Sequence, residues 1–139
     1  MDIIFEDPTS VATRIPEEIG KYLNEELELN IDCLSVHFLS DEAILSINKH
    51  YLNHDYYTDI ITFDLRDDLT SDVELFISVE RIEENSVANK ISFMEELSRI
   101  IIHGMLHVKG YTDQTLEEKT EMSKMENYYL DKLFHVKHT

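Results

Sequence analysis

Cysteine, proline and glycine are all scarce in this chain of 139 residues, which has one Cys, two Pro and three Gly. The lone Cys33 has no internal partner for a disulfide and falls in an expected strand, so it reads as a buried free thiol of a cytoplasmic protein. So little Pro and Gly, with no polar low-complexity tract, argues against long disorder. No apolar run approaches the roughly 18 to 20 residues of a membrane span. The first residues, M-D-I-I-F-E-D, are acidic and lack the basic flank of a secretory signal. Neither G-x-G-x-x-G nor G-x-x-x-x-G-K-S/T occurs, so no nucleotide cofactor is expected. Basic residues are few as well: 12 Lys and Arg stand against 29 Asp and Glu, a formal net charge of -17. That balance repels polyanions at long range and disfavours non-specific nucleic-acid binding, though it leaves room for a local basic patch. A bound dication would offset part of the charge at one site.

What is present fits an ordinary fold. The apolar fraction of 42% and the length point to one domain over residues 1–139 with a real core. A short strand is expected at 2–6, then a polar connection at 7–14. Pro16 opens a helix over about 16–29, with Glu17 and Glu18 in its first turn and Ile19, Tyr22, Leu23 and Leu27 at helical spacing. Strands follow at 33–39, 60–64 and 73–78, with Ser40 capping a helix after the first of them. The acidic segment 66–72 joins the last two strands as an exposed hairpin-like turn. In the strand at 73–78, Glu74 and Phe76 face one side and Val73, Leu75 and Ile77 the other. Helices are expected at 79–87, 93–108 and 116–134. Ser92 with Glu95, and Thr115 with Glu118, are capping boxes for the last two. The helix at 93–108 is apolar on most faces and therefore central. The stripe Met122, Met125, Tyr129 and Leu133 on the last helix reads as packing, and the terminal histidines His135 and His138 as exposed. The fold class is α+β: an α/β sandwich of a small mixed four-stranded sheet with helices packed on it.

The chemistry concentrates at residues 103–113, H-G-M-L-H-V-K-G-Y-T-D. On a helix, His103 and His107 project from one face about 6 Å apart, so both rings can reach one metal. Gly110 can take positive φ, end the helix and turn the chain so that Asp113 returns to the same point. Two imidazoles and a carboxylate suit zinc, with a fourth position left for water. The alternative is a packed helix face, with the ring nitrogens bonded to carbonyls, Gly110 only a cap and Asp113 only a turn former.

A zinc ion with an open position makes hydrolysis the default reaction. The common zinc-peptidase signature carries Glu directly after the first histidine, and here that residue is Gly104, which argues against that route. Phosphodiester cleavage asks less of a carboxylate base. Weak candidates for a catalytic part are Asp59 at the start of a strand, Glu74 if its face meets the metal helix, and Lys109 beside Gly110. Each has a plainer role: Asp59, like Asn53, as a turn or strand-end stabiliser, Glu74 as an exposed or cross-strand residue, and Lys109 as a partner of the helix C-terminus.

The motif at 103–113 resembles the signature of the YbeY family of metal-dependent endoribonucleases, usually H-G-x-L-H-L-x-G-Y-D-H. L-N-H-D-Y-Y-T-D-I-I-T-F at 52–63 is similar to the family's L-N segment followed by T-D/N-V-L-S-F, and V-E-L-F-I-S at 73–78 falls where G-D-I usually stands. The resemblance implies a zincin-like fold whose central helix binds one zinc ion through His103 and His107, with Asp113 in place of the third histidine. It implies a single-strand-specific endoribonuclease of the cytoplasm, acting in 3′-end maturation of small-subunit ribosomal RNA and in ribosome quality control. The implied partners are rRNA and the small ribosomal subunit or its proteins, and a monomer is favoured. The chain departs from the pattern at three places. Asp113 replaces histidine, the arginine usual before T-D is absent where Tyr56 and Tyr57 stand, and Val73 and Glu74 occupy the G-D positions. Two alternatives remain: a non-enzymatic ribosome-assembly factor with a structural metal, and a metal hydrolase of another class.

Overall fold

The computed structural model describes residues 1–6, 14–53 and 58–134. The connection at 7–13, the loop tyrosines Tyr56 and Tyr57, and His135 and His138 lie outside the described residues. Four strands and five helices follow one another as β1 (Asp2–Glu6), α1 (Arg14–Glu26), β2 (Cys33–Leu39), α2 (Asp41–Leu52), β3 (Ile60–Asp64), β4 (Asp72–Ser78), α3 (Val79–Asn89), α4 (Phe93–Lys109) and α5 (Leu116–Phe134). This is the expected order and the expected α+β class.

The sheet runs β1-β2-β4-β3. β1, β2 and β4 are parallel, and β3 closes one edge antiparallel to β4. Alternation sorts the strand side chains as the sequence implies. Leu34, Val36, Phe38, Val73, Leu75 and Ile77 are all buried, while their neighbours Ser35, His37, Glu74 and Phe76 are only partly so. α1 and α4 cover the first face: Gly20 approaches Leu34, and Gly104 approaches Leu75. α2 lies across the other face, where Ser78 Oγ donates to Asp41 and the Tyr51 ring meets Phe63 edge-on. α5 packs on α4 through Met122, Tyr129 and Leu130, so its Met and aromatic stripe belongs to the core.

α1 is shorter at its C-terminal end than its apolar spacing suggests. It stops at Glu26, and Glu28 and Asn30 adopt positive φ of 52° and 58°. Leu27 and Leu29 are still buried, at 7% and 3% exposure, because the turn folds them inward. Asn24 fixes that turn by accepting from the Ile31 N–H at 2.8 Å and donating to the Ile31 carbonyl. Burial in a turn and burial on a helix face leave the same mark in sequence. Pro16 sits in the first turn, where no helical N–H bond is lost.

The segment after β3 is less exposed than expected at one residue. Arg66 donates to the carbonyls of Leu29 and Val108 at 2.8 and 2.9 Å and pairs with Asp64 at 2.8 Å. It thereby ties the end of α4 to the turn after α1. α4 itself is set by its ends. Ser92 Oγ accepts from the Glu95 N–H, and Gly110 caps the C-terminus at φ 118°. Few side chains tolerate that φ.

Candidate metal centre at the edge of the sheet

α4 carries His103 and His107 on the flank that overlooks β3. The helix reaches this depth because residue 104 is glycine. A Cβ there would lie 3.0 Å from Ile60 Cδ1, 3.1 Å from Leu75 Cδ2 and 3.2 Å from Thr62 Oγ1. The position where zinc peptidases hold their carboxylate base is therefore a helix-to-sheet contact with no room for one. At the other end, the Gly110 N–H bonds the carbonyls of Leu106 and His107, and the chain reverses. The reversal places the Tyr111 carbonyl 2.9 Å from His107 Nδ1 and returns Asp113 toward both rings.

Each imidazole is oriented by a partner at Nδ1. His107 meets the Tyr111 carbonyl, and His103 meets Glu126 Oε2 from α5 at 2.7 Å. A carbonyl and a carboxylate accept, so each Nδ1 donates to its partner, and in the neutral ring that this bond selects Nε2 is the lone-pair nitrogen. Those Nε2 atoms lie 3.0 Å apart, with Asp113 Oδ2 at 3.4 Å from one and 3.5 Å from the other. Two lone pairs and an anionic oxygen crowded this way repel unless a cation sits among them. Three donors of a tetrahedral zinc at its usual bond lengths stand about 3.3 Å apart. The spacing and the chemistry of the donor set both fit such an ion, and His103, His107 and Asp113 form the group of potential ligands among the described residues.

Burial pulls the His103 pKa down, but the hydrogen bond and charge of Glu126, with Asp113 and Asp59, more than offset it, and the net direction is upward. The pocket thus attracts positive charge, whether a proton or a metal.

The triad opens into a cleft of about 760 Å³ between α2 and α4, floored by β3, the edge strand of the described sheet. Asp59, Thr62, Asn48 and Gln114 line it beside the triad. Burial raises the Asp59 carboxyl above its usual range, against a smaller lowering by His103. Among the described residues no Lys or Arg lines the cleft, and its charged walls are acidic.

Of the other described residues singled out in the sequence, the structure brings only Asp59 to this cleft. Glu74 lies on the opposite face of the sheet, 3.4 Å from His37 Nε2. Lys109 turns away and donates to the Leu27 carbonyl at 2.9 Å. Asn53 is the left-handed C-cap of α2, at φ 56°. Sequence reasoning missed Glu126. Its signal was there: a carboxylate one turn after Met122 and one turn before Leu130, in the buried stripe of α5.

The profile described as Endoribonuclease YbeY matches residues 5–134 of this chain. The Endoribonuclease YbeY of Cytophaga hutchinsonii is 38% identical over 128 residues, spanning 88% of this chain and 89% of that protein. The Endoribonuclease YbeY of Karelsulcia muelleri is 48% identical over 93 residues, spanning 67% of this chain and 66% of that protein. The solution structure of TM1509 from Thermotoga maritima superposes with a TM-score of 0.64 over 96% of this chain and 89% of that one, at 24% identity, a likeness of fold.

Proposed function

This chain belongs to the YbeY endoribonuclease family, and from that premise we propose that it is a zinc-dependent, single-strand-specific endoribonuclease. The observation that carries the metal is the convergence of the two Nε2 atoms and Asp113 Oδ2 within hydrogen-bond distances of one another. A zinc ion held there would acidify a water molecule and polarise a phosphoryl oxygen. His103, His107 and Asp113, which line the cleft, would hold the ion. Asp59 is the cleft carboxylate available to accept a proton. Burial moves its affinity for that proton toward neutral pH, which suits a group that must take one up and release it.

The substrate in this reading is ribosomal RNA, in 3′-end maturation of the small-subunit RNA and in ribosome quality control. No helix of the described residues is long and apolar enough to cross a membrane, and the proposed compartment is the cytoplasm. A surface of net charge -17 gives RNA no long-range attraction. The small subunit or one of its basic proteins would then bring the cleft to its substrate, and a monomer suffices for the chemistry.

The test is cleavage of single-stranded rRNA fragments by the wild-type chain with and without a zinc chelator, beside His107→Ala. Cleavage is expected to vanish under chelation, return with zinc, and fall by orders of magnitude in the variant. Cleavage indifferent to both changes would refute the metal mechanism. The acidic walls of the cleft favour one rival reading, an assembly factor with a structural metal. A zinc-loaded chain that binds the small subunit and cleaves no RNA would establish that reading instead.

A further inference from the structure

We infer that Glu126, held by Arg99, is a positioning residue for the metal centre, so that α5 completes a site whose ligands lie on α4 and the turn after it. The inference rests on the metal reading above. A carboxylate buried in an apolar stripe costs stability unless it is paired. Glu126 is only 7% exposed and lies in the stripe of Met122, Tyr129 and Leu130 that docks α5 on α4. Among the described residues it meets His103 Nδ1 at 2.7 Å on one oxygen and Arg99 at 3.3 Å on the other. The same Arg99 nitrogen also donates to Asn127 Oδ1 at 3.0 Å, which fixes the guanidinium against α5.

The two imidazoles are consequently held in different ways. His107 depends on a backbone carbonyl four residues along its own chain segment. His103 depends on a side chain 23 residues away, on another helix. Without Glu126 the His103 ring loses the acceptor that fixes both its rotation and its tautomer, and Nε2 ceases to be the obligatory lone pair. Arg99 offsets the charge of Glu126, so the positioning carboxylate does not add a full negative charge to a cleft that already holds Asp59 and Asp113. Loss of such an outer-sphere partner lowers metal affinity by about 10- to 100-fold.

The experiment titrates zinc into the folded, metal-free chain against a chromophoric chelator, and records the visible ligand-field spectrum with cobalt in place of zinc. Glu126→Gln keeps an oxygen that can accept from Nδ1 and loses the charge, so it should bind zinc about 10-fold more weakly. Glu126→Ala loses orientation as well, and should bind about 100-fold more weakly with a changed cobalt spectrum. Met122→Ala loosens the docking of α5 without touching the Glu126–His103 pair, and should stay close to wild type in both readouts. If Glu126→Ala does not fold, the Gln variant carries the comparison. Wild-type affinity and an unchanged spectrum in the foldable Glu126 variants would overturn the inference. So would an equal loss of affinity in Met122→Ala. A wild-type chain that takes up neither metal would overturn the metal reading itself and this inference with it.

Discussion

Replacing Gly104 with alanine tests how the site is built, because one methyl group is set against a narrow gap. Its Cβ would meet Ile60 Cδ1 at 3.0 Å, Leu75 Cδ2 at 3.1 Å and Thr62 Oγ1 at 3.2 Å, all closer than ordinary van der Waals contact. Ile60 is half-buried at the sheet edge and can give way. Leu75 is fully buried between its neighbours and cannot. Overpacking of this kind costs about 1–3 kcal/mol. Alanine gains about 1 kcal/mol over glycine inside a helix. The net expectation is a loss of up to about 2 kcal/mol, read from urea unfolding by linear extrapolation. The same displacement lifts α4 off β3 and moves both histidines, so zinc affinity should fall together with stability. Gly104→Glu must also bury a carboxylate against Leu75 and Ile60, and should lose considerably more than alanine, without gaining peptidase activity. A Gly104→Ala chain more stable than wild type by the full helical gain, with unchanged zinc affinity, would refute the close approach and the account of why residue 104 lacks a side chain.

Three further outcomes follow from contacts away from the triad and from its titration. Arg66→Met leaves the carbonyls of Leu29 and Val108 without their charged donor. It should cost about 2 kcal/mol in urea unfolding, mostly from those two bonds, since the partly exposed pair with Asp64 adds little; an unchanged midpoint would show that water replaces the guanidinium. The metal-free chain should lose stability as pH rises from its ordinary histidine value through the raised pKa of His103, because that group's contribution is fully present only below the unfolded pKa. Zinc affinity should move the opposite way and weaken as pH falls through the same range, as protons compete for Nε2. Thermal melts of the metal-free wild type and of His103→Gln, across that range, check the first part; a slope that persists in the variant would assign it to another group.

The two capping boxes were legible because they are local. Ser92 and Thr115 sit three residues before a glutamate, and both hydroxyls cap as that spacing implies. The alternation of β4 was likewise local, and it correctly divided Glu74 from Leu75. What it could not supply was which face α4 would occupy, and so Glu74 remained a candidate until the sheet was assembled. Lys109 failed for a similar reason. Its neighbour in sequence is the metal turn, while its partner in space is the Leu27 carbonyl, 82 positions away. Arg66 sits in an acidic, turn-rich segment whose composition implies solvent, yet a carbonyl of the turn after α1 and one at the end of α4 draw it in.

The sequence by itself determined the order of elements and the donor pair on α4. A four-residue helical repeat puts His103 and His107 on one face wherever the helix is placed, and a glycine after it permits the turn that recovers Asp113. Tertiary structure alone decided which ring nitrogens turn toward one another and toward Asp113, because Nδ1 of His103 takes its partner from a different helix, α5. It also decided that the cleft is acidic, since that depends on which side chains converge across the edge of β3 rather than on how many charges the chain carries.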